Sequence, residues 1–347
     1  MSYILPAEWT SQSAVLLSWP HSNTDWHSML AAVEKTYGEI CCAISQFQDV
    51  VIICQHQKMH QSLQQKFSSK EHSNRIHFIV ADYNDTWIRD YGPITLLSPN
   101  SPILLDFQFN GWGNKFKSTL DNQVSKTLKR KGFFGQVALR TETLVLEGGS
   151  IESDGEGTLL TTEHCLLSPQ RNPHLNKKEI EAELIRCLAI ERVLWLKEGN
   201  LEGDDTDSHI DTLVRFCSPS VICYVSCDDP NDTHYKALKT METQLKTFRT
   251  RDGKNYTLLP LPWPSAKYNA AGERLPASYA NFLIINDAVL LPTYNDNNDE
   301  RAIDVLSKAF PERKIIPINC LSLIEQFGSL HCITMQLPKG VIKPKQP

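Results

Sequence analysis

Short apolar runs bounded by turn-forming residues recur along the chain. They lie at 13–19 (SAVLLSW), 50–54 (VVIIC), 103–107 (ILLDF), 158–162 (TLLTT), 221–225 (VICYV), 282–285 (FLII) and 288–292 (AVLLP). Their length, β-rich content and flanking turn residues predict strands. Other stretches repeat apolar residues at helical spacing, at 30–47, 177–188, 234–245 and 299–310. These predict helices with one buried face. Asn176 with Glu179 three residues on reads as a reciprocal N-terminal cap. Strands alternating with helices predict an α/β architecture. β-rich modules with about one helix each recur roughly every 60–70 residues, which suits a ring of modules as well as two lobes.

Composition narrows the function. With 35 basic and 40 acidic residues the net charge is −5, which leaves no electrostatic footprint for nucleic acid. No apolar run approaches the roughly 18 residues of a membrane-spanning helix. The N-terminus lacks the basic and apolar regions of a secretory signal, so a cytoplasmic protein is expected. The ten cysteines are scattered, and reduced thiols are the expected state.

Four polar clusters interrupt the apolar pattern: Asp85 to Pro93, Leu146 to Gly155, Gly203 to Asp211 and Gly328 to Thr334. In the third, His209 and Asp211 stand two apart, which on a strand puts both on one face. A calcium loop starting at Asp205 would need Gly and Glu where Ile210 and Phe216 stand; a solvated acidic turn remains the plain alternative. In the fourth, Cys332 opens an apolar run. A buried cysteine is usually inert, but one accompanied by a distant His and carboxylate is a candidate nucleophile. In the first, Asp90 beside Arg89 reads as a surface ion pair or as a binding carboxylate, and Trp87 offers a wall for a cation. In the second, Glu147 precedes two glycines that permit a tight turn or a close ligand approach. Cys217, Cys223 and Cys227 are the nearest approach to zinc spacing, without a histidine until His234; no metal is expected. No phosphate-cradling glycine loop is present.

Together the clusters resemble the agmatine deiminases of the bacterial peptidylarginine-deiminase-like group of guanidine-modifying enzymes. The resemblance rests on Trp-x-Arg-Asp-x-Gly-Pro at 87–93, Leu-Glu-Gly-Gly at 146–149, His-x-Asp at 209–211 and Gly-Ser-x-His-Cys at 328–332. Shorter matches are Pro6-Ala-Glu-Trp9, Phe109-Asn-Gly-Trp-Gly113 and Arg171-Asn-Pro-His174. It implies a five-bladed α/β propeller (the pentein fold) of ββαβ modules, as one catalytic domain over 1–347. Many family members carry Gly before the catalytic His, where this chain has Ser208.

The resemblance also implies roles. Asp90 and Asp211 would hold a guanidinium, whose planar N–H donors suit paired carboxylates. Cys332 would attack its carbon, and His209 would serve as acid and then base. Glu147 would orient His209 and favour its charged form. Trp87 and Trp112 would wall the alkyl chain, and Asp205 would bind substrate. The implied reaction converts agmatine to N-carbamoylputrescine and ammonia, within polyamine metabolism and without a cofactor. The implied partner is a small-molecule substrate, with no nucleic acid and no membrane, and a homodimer is one possible assembly. The same residues leave open a deiminase of free or peptidyl arginine. A non-catalytic propeller that binds a macromolecule is the alternative outside enzymology.

Overall fold

The computed structural model describes residues 3–342. Residues 1–2 and 343–347 of the expected 1–347 domain lie outside the described residues. The apolar runs form inner strands: Gln12–Ser18, Asp49–Cys54, Ile103–Gln108, Thr158–Thr162, Val221–Val225 and Ala288–Thr293 each have a neighbour on both sides. Only 282–285 differs, as the edge strand Leu283–Ile285. Leu16, Ile52, Leu104, Leu160, Ile222 and Leu290 on the inner strands are fully buried, the pattern of strands covered on both faces.

Five sheets of three or four strands, with one small hairpin at Lys267–Tyr268 and Arg274–Leu275, make up the mixed α/β fold among the described residues. Four of the five share one plan. Two strands form an antiparallel pair, and a third joins in parallel after a helical crossover. Parallel pairing requires such a crossover. Helices Val124–Arg130, Lys177–Leu188, Tyr235–Leu245 and Asp299–Ala309 supply it. The remaining sheet follows the same plan across the ends of the chain. Met335–Pro338 pairs antiparallel with Gln12–Ser18, which pairs in parallel with Asp49–Cys54 after helix Leu30–Ser45.

The strands that the sequence pattern does not predict all lie at sheet edges or in the small hairpin. Thr257–Leu261 and Lys314–Asn319 each have one buried residue among exposed and half-buried ones, and contain Pro260 and Pro317. Proline is tolerated on an edge strand and breaks an apolar run. All ten cysteines are free, and Cys41 packs fully buried in the core while Cys42 is half-buried. No helix among the described residues is long and apolar enough to cross a membrane.

Helix Lys177–Leu188 carries the expected cap at both atoms: Asn176 accepts from Glu179 N and Glu179 accepts from Asn176 N. It ends on Ala189 in the left-handed region, at φ 54°. Glycine relieves that conformation, so Ala189→Gly is expected to stabilise the fold by up to about 1 kcal/mol. A raised urea midpoint with an unchanged slope would show it.

Candidate active site

One segment ahead of the antiparallel pair of each sheet runs to a common region, joined by the contacts of Asp90 with Gly149 and His209 and of Cys332 with Asn281 and Asp211. Asp90 sits in the helical turn Ile88–Tyr91, ahead of Ile94–Leu96. Glu147 and Gly149 precede Ile151–Ser153. His209 and Asp211 precede Val214–Ser218. Asn281 precedes Leu283–Ile285, and Cys332 precedes Met335–Pro338. His209 and Asp211 belong to a turn at Ile210–Thr212 and not to a strand, yet both reach that region.

Gly149 is the point of closest approach. Its backbone N–H donates to Asp90 Oδ1 at 2.9 Å. A Cβ on Gly149 would lie 2.7 Å from His209 Nδ1, 2.8 Å from Asp90 Oδ1 and 3.2 Å from Asp211 Oδ2. The second glycine of Leu-Glu-Gly-Gly is therefore required by space.

Asp90 Oδ2 accepts from Trp112 Nε1 at 3.0 Å. Trp112 holds a left-handed backbone, φ 55°, between Gly111 and Gly113. Rings of Phe109 and Phe116 pack edge-on against it. Arg89 points elsewhere, bonding Gln336 Oε1 at 2.7 Å and the His331 carbonyl at 3.3 Å. It is only 3% exposed, so the surface ion-pair alternative does not hold.

The loop ahead of His209 is tied by Asp204, which accepts from Thr206 N at 2.9 Å and Ser208 N at 2.6 Å. Asp207 and Ser208 are both left-handed, at φ 66° and 65°. Glycine is the residue that meets this backbone without strain. Ser208 adopts the same conformation at some cost.

Cys332 Sγ lies 3.4 Å from Asn281 Oδ1 and 3.9 Å from Asp211 Oδ2. Burial, with Asp211 and Asp90 nearby, holds its thiol well above the ordinary range. Burial pushes His209 down to about 3 against the pull of Asp211. Its Nδ1 is 3.6 Å from Asp90 Oδ1, and its Nε2 is buried without a partner. Burial, reinforced by Asp211 and Glu147, raises Asp90 well above the usual carboxylate range. For Asp211 burial acts upward too, but the hydrogen bond and charge of His331 outweigh it and its pKa falls. Asp211 Oδ1 is buried and has no partner.

Glu147 differs from the expected arrangement. Its carboxylate accepts from Arg171 Nε at 2.9 and 3.0 Å, and no hydrogen bond joins it to His209. Arg171 also bonds Asp207 Oδ2 at 2.5 Å and the Thr206 carbonyl at 2.8 Å. The guanidinium of Arg171 offsets the carboxylate, so Glu147 does not hold His209 charged. Glu147, Cys165 and His209 place ligand-type atoms within 4.8 Å of one another. A metal does not fit there, because Arg171 already supplies the cation that Glu147 faces.

Trp87, Trp112, Asp90, Asp205, His209, Asp211 and Cys332 line one cavity of about 100 Å³, together with Asp25, Asp85, Asp204 and Phe116. Burial raises Asp205 and Asp85 to about 6 each. Sequence reasoning assigned no role to Asn281, Arg171, His331 or Glu8. Arg171 and Glu8 lie in the short secondary motifs, where a charged residue flanked by Asn-Pro or by Ala and Trp was the available signal. Asn281 has no motif around it. Its signal is positional, one residue ahead of a predicted strand's apolar core.

The sequence pattern of the Porphyromonas-type peptidyl-arginine deiminase family matches residues 4–338. The chain belongs to that family. A Porphyromonas gingivalis structure with the provisional name arginine deiminase is 46% identical, covering 99% of this chain and all of that one, with a TM-score of 0.92. A Cys-to-Ser variant of C. jejuni agmatine deiminase with substrate bound is 40% identical over 98% of this chain and 97% of that one, TM-score 0.90. Among curated proteins, the Ectopseudomonas mendocina agmatine deiminase is 33% identical over 96% of this chain and 95% of its own length. A Pseudomonas aeruginosa dimethylarginine dimethylaminohydrolase, 10% identical with a TM-score of 0.52 over 94% of this chain, shares the fold.

In this deiminase-family chain, Gly149→Ala is expected to displace His209 and Asp90 by the close contacts above. Misplacement of this size costs on the order of 100-fold in rate. Near-wild-type turnover in a folded Gly149→Ala protein would show that the close approach is immaterial.

Proposed function

We propose that this protein hydrolyses the guanidinium group of agmatine to N-carbamoylputrescine and ammonia through a covalent Cys332 adduct. The observation that carries the reading is the cavity lining. It holds six aspartates, Asp25, Asp85, Asp90, Asp204, Asp205 and Asp211, and no lysine or arginine. Agmatine is cationic at both ends. Free arginine carries a carboxylate that calls for a basic partner. The nearby Lys115 is engaged instead, with Nζ on Asp207 Oδ1 at 2.8 Å and on the Asp205 carbonyl. Family members named for agmatine or for arginine both occur among the relatives, so the lining and not the likeness selects the substrate.

In this reading Asp90 and Asp211 accept the guanidinium N–H groups, and Asp211 Oδ1 supplies an acceptor with no protein partner. Trp87 and Trp112 flank the alkyl chain. Asp205 and Asp85 face the distal ammonium, which favours their ionised forms. Two unit charges about 4 Å apart attract by roughly 4 kcal/mol at an effective dielectric of about 20.

The resting site pairs a neutral thiol with a neutral imidazole. The cationic substrate lowers the thiol pKa as it binds between the carboxylates. His209 takes the thiol proton while Cys332 sulfur bonds to the guanidinium carbon. His209 then returns that proton to the departing nitrogen, which leaves as ammonia. A water that gives one proton to His209 attacks the thiouronium carbon, the C–S bond breaks, that proton goes back to sulfur, and the remaining hydroxyl proton passes to solvent, where ammonia takes it up, leaving the neutral ureido product. His209 thus acts first as base, and needs no charge from Glu147. The same reading takes the five sheets as five blades of a pentein propeller, with the site where their leading segments converge.

Purified protein is expected to release ammonia from agmatine and not from arginine or a blocked peptidyl arginine. Cys332→Ser is expected to fold and lose turnover. Release from an arginine substrate would keep the chemistry and overturn the substrate assignment. Alkylation of Cys332 in the free protein is expected to be slow at pH 7 and to climb without plateau past pH 9, the ordinary range of the thiol. A plateau below pH 7 would mean a preformed thiolate and remove substrate assistance.

A further inference from the structure

His331 precedes the nucleophile, is 1% exposed, and lies between two carboxylates. Its Nδ1 is 2.7 Å from Asp211 Oδ2, and its Nε2 is 2.7 Å from Glu8 Oε2. A neutral imidazole has a single N–H. Two carboxylate contacts of this length therefore require two protons shared over the three groups.

Glu8 is an acceptor on every side. Oε2 also accepts from Arg215 Nη2 at 2.8 Å, and Oε1 accepts from Ile284 N at 2.6 Å. A carboxyl proton would face a donor at either oxygen, so the proton between Glu8 and His331 belongs to Nε2. The second proton lies on Nδ1 or on Asp211. Asp211 faces His331, His209 and Arg215 on one side, and Asp90, Asp204 and Cys332 on the other. Burial, with Arg215 and Arg89, lowers the His331 pKa against the pull of Glu8 and Asp211. The contacts outweigh this: two carboxylate oxygens at 2.7 Å, one on a Glu8 tied down by Arg215, call for a proton on each ring nitrogen.

We propose that His331 is a positioning residue for the guanidinium site, a doubly hydrogen-bonded imidazolium between Glu8 and Asp211 that keeps Asp211 ionised with one oxygen left for substrate. This rests on the deiminase reading above. His331 and Glu8 line a separate cavity of about 60 Å³ that shares no residue with the reaction cavity. His331 therefore acts through Asp211 and not on the substrate. Asp211 holds the guanidinium before and during reaction, so weakening it falls mainly on KM.

The test combines kinetics with a spectrum. In His331→Gln, kcat/KM for agmatine is expected to fall on the order of 10- to 100-fold, mostly through KM. The acid limb of its pH profile is expected to move to higher pH, because Asp211 loses the hydrogen bond that holds its pKa down. Glu8→Gln, which keeps an acceptor but removes the charge, is expected to shift the limb the same way by less. In the wild-type protein, nitrogen-15 resonances of His331 at pH 7 are expected to report protons on both ring nitrogens. A neutral ring, or a folded His331→Gln with KM and acid limb unchanged, overturns the proposal. Should the wild type release no ammonia from agmatine, the deiminase reading fails, and the nitrogen spectrum still decides the imidazolium. Should His331→Gln not fold, Glu8→Gln and that spectrum decide it.

Discussion

Burying carboxylates side by side is the constraint on which the rest of the structure depends. Asp90, Glu147, Asp211 and Glu8 are each at most 7% exposed. An uncompensated ion in such a place costs several kcal/mol. Each has its own answer: Trp112 and Gly149 for Asp90, Arg171 for Glu147, His331 for Asp211, Arg215 for Glu8. Trp112 and Arg171 come from the module of the carboxylate they answer, but the Gly149–Asp90, His331–Asp211 and Arg215–Glu8 contacts cross between modules. The charge arrangement therefore exists only when the sheets are assembled, and the apolar inner strands supply the energy that assembles them.

The compensation is uneven, and the unevenness is functional. Glu8 and Glu147 face full cations from arginine. Asp90 receives neutral donors, and Asp211 keeps one oxygen unpartnered. Asp90 is thus the one answered by neutral donors alone, and Asp211 the one with an oxygen to spare. In the proposed reaction a guanidinium completes both, and in doing so favours the thiolate that attacks. A resting thiolate would have to survive beside Asp90 and Asp211 with no lysine or arginine lining the cavity.

One functional segment per module, each ahead of that module's first strand, explains how distant residues meet. A strand fixes direction and register, so the residues just before it are delivered to a reproducible place. Repetition of one module around a common region then brings five such places together. Asn281 belongs to this set by position alone.

The sequence by itself determined the inner strands and the capped helix at 177–188, and it singled out Cys332, His209, Asp90 and Asp211 as candidates that the structure brings to one cavity. Continuous apolar runs and tight polar motifs are local signals, and local signals survive in one dimension. Edge strands such as Thr257–Leu261 and Lys314–Asn319 escaped because part-exposed strands interrupted by proline carry no apolar run, and Ile94–Leu96 because three residues are too few to show one. The tertiary structure alone decided that Glu147 answers Arg171 in place of His209, that burial pushes the His209 pKa down, that Gly149 is a spatial necessity, and that His331 bridges Glu8 and Asp211. Those are matters of burial and of which charge lies within 3 Å of which, and the partners stand up to 323 positions apart in the chain.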